Sequence, residues 1–256
     1  MEKPVVFKNK NGKQLIGILR LPKGNKRFPL VLFCHGFGDN KTQRKIVRLA
    51  GILEKNKIAT FRFDFEGCGD SEGDFLKATI EKEIEDLNSA FQYIKKTKNV
   101  HLKKLAFVGH SLGAVICALF LVRNKVDAKT IVMWAPPFNQ KALMKYWADS
   151  KQMKKWKSQG YLYRKGKEKI IGLDYLKENV DKDYSQILKQ IKIPILIIHG
   201  KKDDTVPVKF SKKLAQNYKN IKLILLPKAE HKFEDYFAQE RLVKETVNWF
   251  KEKLLS

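Results

Sequence analysis

Seven short apolar runs punctuate the chain, at residues 14–20, 29–34, 59–63, 104–109, 130–134, 194–199 and 221–226. Several are almost wholly Val, Ile, Leu or Phe, the composition of strands covered on both faces. Between them lie helical patterns. Ile80, Ile84, Leu87, Phe91 and Ile94 recur every three or four residues, and so do Val243, Val247, Phe250 and Leu254. Strand–helix alternation of this kind restricts the chain to an α/β class: a mostly parallel central sheet with helices on both faces. Asn11-Gly12, just before the first run, predicts a tight turn and an antiparallel hairpin at the sheet edge.

The rhythm breaks between residues 136 and 190, which hold no convincing strand. This stretch carries many Lys residues together with Trp147, Trp156, Tyr161, Tyr163, Tyr175 and Tyr184. It is too long for a plain connection. We expect a small, largely helical cap there, lying over one end of a core made of residues 1–135 and 191–256. Trp147, Tyr161, Tyr163 and Tyr175 are its candidate substrate contacts. At 256 residues and 43% hydrophobic, the chain can build such a core without metal or disulfide staples. No apolar stretch is long enough for a spanning helix, and Met1-Glu2-Lys3-Pro4 has no signal core. Cys34, Cys68 and Cys117 are odd in number and widely spaced, which reads as reduced thiols in a cytoplasmic protein.

Lys and Arg exceed Asp and Glu by 52 to 27, a formal charge of +25. The excess is mostly Lys and is spread along the whole chain. Base-reading surfaces favour Arg, and no zinc finger or aromatic RNA-binding strand is present, so no specific nucleic-acid partner is expected. A field of this sign would draw in anionic substrates and bind anionic surfaces nonspecifically.

Four segments carry chemistry. Gly109-His110-Ser111-Leu112-Gly113 sits between an apolar run and a helical pattern, the strand–turn–helix context of a G-x-S-x-G elbow. The tight turn admits no side chain at its flanks and raises the Ser111 hydroxyl above the sheet edge, at a helix N-terminus that favours negative charge. His35-Gly36-Phe37-Gly38-Asp39 follows another strand. Acyl transfer needs two backbone N–H groups aimed at the oxyanion, and Phe37 and Leu112 are the candidate donors. Asp203 and Asp204, just past the run at 194–199, compete as the acid that would orient a histidine. Of five histidines, His231 is left as the base. His35 lies in the oxyanion loop, His110 inside the elbow, His199 at a strand end and His101 before the elbow strand.

In combination these motifs resemble the α/β-hydrolase superfamily from about residue 5 onward. The stretch at 62–73, Arg-Phe-Asp-Phe-Glu-Gly-Cys-Gly-Asp-Ser-Glu-Gly, is similar to a loop of the cinnamoyl/feruloyl esterase-like branch. Monoacylglycerol lipases and prolyl aminopeptidase-like hydrolases have related loops. The resemblance implies that the acid of the family's G-x-x-D-x-x-V-P signature is Asp203. It also implies a cap at 136–190 that contacts an aromatic acyl group, and a serine carboxylesterase acting on small or aromatic acyl esters, hydroxycinnamates among them. Monoglyceride, thioester and aminoacyl substrates are the alternatives. A basic binding protein on an inactive scaffold is the alternative of a different class. No metal and no cofactor are implied, and a homodimer stays open.

Overall fold

The computed structural model describes residues 2–163 and 170–255. In chain order its elements are β1 (Glu2–Lys8), β2 (Gln14–Arg20), β3 (Phe28–Cys34), α1 (Arg44–Lys55), β4 (Ala59–Phe63), α2 (Ile80–Lys95), β5 (Val100–His110), α3 (Leu112–Arg123) and β6 (Thr130–Trp134). Then come α4 (Gln140–Trp147), α5 (Ser150–Gln159), β7 (Tyr161–Tyr163), β8 (Ile170–Gly172), α6 (Leu173–Asn179), β9 (Ile195–Gly200), α7 (Lys209–Asn217), β10 (Ile221–Leu226) and α8 (Tyr236–Leu255).

Eight strands form one sheet in the order β1-β2-β4-β3-β5-β6-β9-β10. The β1–β2 hairpin turns through Asn11-Gly12 at one edge, β2 pairs antiparallel with β4, and every later pair is parallel. The alternation of side chains along each strand divides the core in two. Leu30, Leu32, Phe107, Ile131 and Ile197 pack with α2 and α3 on one face. Their neighbours in sequence, Val31, Phe33, Val108, Val132 and Ile198, pack with α1 and α8 on the other. This is why the strands read as unbroken apolar runs. Helix α3 is buried from Leu112 to Leu121 with no polar face, as its central position demands. Strand β1 left little trace in the sequence because it is an edge strand with only Val5 and Phe7 turned inward.

The segment between β6 and β9 departs from expectation. Among the described residues it holds the α-helices α4, α5 and α6 and a 3-10 helix at Tyr184–Gln190, but also a short antiparallel ladder in which Tyr161 faces Gly172 and Leu162 faces Ile171. Three-residue strands are too short to show an alternating pattern. Gly160, at φ 85°, ends α5 and reverses the chain into β7. Contacts with the start of α2 and the stretch before it help fasten this segment to the rest. The Glu178 carboxylate in α6 accepts from Ile80 N and Glu81 N at the start of α2, and Gly172 lies so close to the Leu76 carbonyl that a Cβ would overlap it. Among the described residues no helix is long and apolar enough to cross a membrane.

Candidate active site

The loops after β3, β5, β9 and β10 all leave the same edge of the sheet, where the parallel strands end and ligands of α/β proteins bind. Ser111 joins β5 to α3 at φ 53° and ψ −122°, a conformation that Ser adopts only when its surroundings impose it. The surroundings here are explicit. A Cβ on Gly109 would collide with Ala114, and one on Gly113 with the carbonyl oxygens of Cys34 and His35. Glycine at both positions lets β5, α3 and the end of β3 approach this closely.

Three side chains meet at the elbow. Ser111 Oγ lies 3.0 Å from His231 Nε2, and His231 Nδ1 lies 2.7 Å from Asp203 Oδ2. Nδ1 faces a carboxylate and therefore carries the proton, which leaves Nε2 to accept from the serine hydroxyl. The other oxygen of Asp203, Oδ1, accepts from Thr205 N at 2.8 Å and Val206 N at 2.7 Å. Burial pushes the Asp203 carboxyl up. The hydrogen bonds from His199 and His231, with the backbone N–H of Val206, outweigh burial and hold it well below the usual carboxylate range. The competing acid, Asp204, is exposed and accepts instead from the Thr205 hydroxyl.

Supporting histidines hold the loops. His110 donates from Nε2 to the His231 carbonyl at 2.9 Å, and burial depresses its basicity far below normal, so it stays neutral. His35 Nε2 accepts from Phe65 N at 3.1 Å, which puts its proton on Nδ1, 2.8 Å from Gly36 O. All three cysteines are buried and outside any disulfide, and burial beside Cys117 drives the Cys34 thiol well up, away from nucleophilic thiolate.

A cavity of about 540 Å³ opens above Ser111. Leu112 and Phe37 both line it. Leu112 N is the first amide of α3 and has no partner within the helix. The Phe37 ring is wedged between Phe75 and Tyr175, at centroid distances of 4.7 and 4.6 Å. Of the aromatic contacts expected from the sequence, Trp147 and Tyr175 line the cavity, joined by Leu143 and Ile171. Trp147 Nε1 donates to Thr205 O at 2.9 Å, and Tyr175 Oη donates to Gln140 Oε1 at 2.8 Å. Tyr161 is not in the wall. It alternates with buried Leu162, whose ladder partner Ile171 is the residue that reaches the cavity. The side chain of Tyr163 lies outside the described residues.

Sequence reasoning missed the charged part of the lining: Asp39, Asp204, Glu230 and Glu234, with Lys232. It also missed His199, although its place four residues before Asp203 was visible. Among the described residues no cluster of His, Cys, Asp or Glu could hold a metal ion.

Residues 25–182 match the protein family described as "Serine aminopeptidase, S33". The chain is 29% identical over 245 residues to "Esterase EstD" of Thermotoga maritima, covering 85% of this chain but 57% of that protein. It is 25% identical to "Uncharacterized protein YfhR" of Escherichia coli (strain K12), over 89% of this chain and 72% of the relative. Among solved structures, "Ferulic Acid bound to Est1E from Butyrivibrio proteoclasticus" superposes with a TM-score of 0.86 at 22% identity, covering 98% of this chain and 100% of that one. The fold is that of an α/β hydrolase.

Proposed function

The chain belongs to the family described as serine aminopeptidase S33, and from that premise we propose that it is a serine carboxylesterase acting on small or aromatic acyl esters through an acyl-enzyme. The observation that carries this reading is the line of hydrogen bonds Ser111 Oγ–His231 Nε2–His231 Nδ1–Asp203 Oδ2 at the floor of the cavity. His231 takes the hydroxyl proton as Ser111 Oγ attacks the ester carbonyl. The backbone N–H groups of Phe37 and Leu112 stabilise the oxyanion, and loss of one such donor typically costs about 3 kcal/mol. Imidazolium His231, stabilised by Asp203, then protonates the departing alkoxide. Water repeats the sequence and frees the acid.

Residues 136–190 act as a cap in this scheme. Trp147, Leu143, Ile171 and Tyr175 offer the acyl group an apolar wall, in a cavity whose size suits a small aromatic acid. The ferulic acid held by the superposed Est1E supports an aromatic acyl group for this chain too. A second reading, an aminoacyl substrate, is favoured by the family description and by Asp39, Glu230 and Glu234 in the lining, which could meet an ammonium.

The wild-type chain is expected to take a fluorophosphonate label, and Ser111→Ala to take none. A panel of short p-nitrophenyl esters, methyl ferulate, a monoglyceride and an aminoacyl anilide then separates the substrates. Turnover of methyl ferulate or the short esters above the others supports the esterase, and fastest turnover of the anilide moves the assignment to the second reading. A wild-type chain that takes no label overturns both.

A further inference from the structure

His199 ends β9 and is wholly buried. Its Nε2 lies 3.0 Å from Asp203 Oδ2 and 3.0 Å from Val206 O. Both neighbours are acceptors, so Nε2 carries the proton. Nδ1 then accepts from the Ser211 hydroxyl, 2.7 Å away at the start of α7. Asp203 Oδ2 therefore faces two imidazole N–H groups, from His199 and His231, while Oδ1 is taken up by two backbone amides. We infer that His199 is a positioning residue of the hydrolytic centre, forming with Ser211 a second arm on Asp203. The line then runs Ser211–His199–Asp203–His231–Ser111. This inference rests on the hydrolase reading above.

The second arm has two physical effects. It removes the rotational freedom of a carboxylate that must hold His231 in one orientation. It also draws electron density from Oδ2, so the proton stays on His231 for delivery to the leaving group. Loss of the His199 donor leaves Oδ2 more basic. A more basic Oδ2 stabilises imidazolium His231 and moves the acid limb of kcat/KM to higher pH. The other titratable groups around this line are His110 on β5, Lys45 on α1, and Asp39, Asp204, Glu230, Lys232 and Glu234 on the cavity loops. No variant below alters them.

The test compares wild type, His199→Leu, His199→Gln and Ser211→Ala on whichever ester the wild type turns over. His199→Leu is expected to lower kcat roughly 10- to 100-fold, the scale of a misplaced reacting group. KM should change little, and the acid limb should rise by roughly half a pH unit. His199→Gln keeps an amide donor within reach of Oδ2 and should recover most of both changes. A merely structural histidine would lower thermal stability and leave the limb in place. Folded His199→Leu with wild-type kcat and an unmoved limb overturns the inference alone, because the wild type still labels. If His199→Leu does not fold, Ser211→Ala decides: a limb moved in the same direction supports the second arm, and an unmoved one overturns it. A wild type that takes no label overturns the hydrolase reading and this inference together.

Discussion

At the scale of single residues, what matters is where a proton or a charge can sit. Asp203→Asn presents an amide to His231 and favours the wrong tautomer, and should lower kcat by about 10⁴-fold. Asp204→Asn, whose carboxylate is exposed and turned to Thr205, should stay near wild type. Steady-state rates on one ester decide between them, and the reverse ranking would reassign the acid. Lys45 shows the same logic applied to stability. It is 4% exposed on α1, and burial pushes its ammonium down to about 8, against the pull of Asp39, Glu230 and Glu234. The unfolded chain binds this proton up to its ordinary value of 10.5. Folding is therefore penalised below about pH 8, and the penalty fades as the pH rises from 8 to 10.5. Lys45→Met should raise stability at pH 7 by on the order of 3 kcal/mol. Urea midpoints measured at pH 7 and pH 10 check this: the gain should shrink sharply at the higher pH, and a gain equal at both would refute it.

At the scale of elements, the site depends on pieces that cannot be moved separately. The β7–β8 ladder brings Ile171 to the cavity, and it is set in place where Gly172 touches the Leu76 carbonyl. Gly172→Ala forces that contact apart. Overpacking of this kind typically costs about 1–3 kcal/mol. We expect a lower melting temperature and a raised KM with kcat largely kept, because the Ser111, His231 and Asp203 loops belong to other elements. An equal loss in kcat would show that the ladder also supports the reacting groups. Trp147 couples elements differently, since its indole N–H holds the Thr205 carbonyl two residues past Asp203. The elbow, α2 and α8 were legible, because turn glycines and three- to four-residue periodicity are local signals, while α3, with no polar face, was placed by following the elbow. The ladder was not legible, because three residues carry no period.

The whole molecule sets a global field against a local one. The formal charge is +25, yet Asp39, Asp204, Glu230 and Glu234 outnumber Lys232 in the cavity lining. At about 0.15 M salt the Debye length is roughly 8 Å, so the lining outweighs distant lysines. A carboxylate-bearing ester should then be a poorer substrate than its neutral isostere by roughly three- to tenfold. The gap should narrow near 0.01 M salt as the long-range attraction extends. Paired kcat/KM measurements at the two salt concentrations test this, and a preference for the anionic ester at the higher salt would refute it. The expectation that the net charge draws in anions treats charge as a sum over residues, and a sum carries no positions. The class of fold, the strand–helix order, the serine turn and the candidacy of Ser111, His231 and the Asp203–Asp204 pair were readable in one dimension, from local motifs, their order along the chain and elimination among five histidines. Position alone left Asp203 and Asp204 open, with the resemblance pointing to Asp203; the second imidazole on Asp203, the aromatic wedge around Phe37 and the sign of the cavity lining came only with folding. Each is a contact between loops far apart in the chain, and it is the order of the strands in the sheet that brings those loops to one edge.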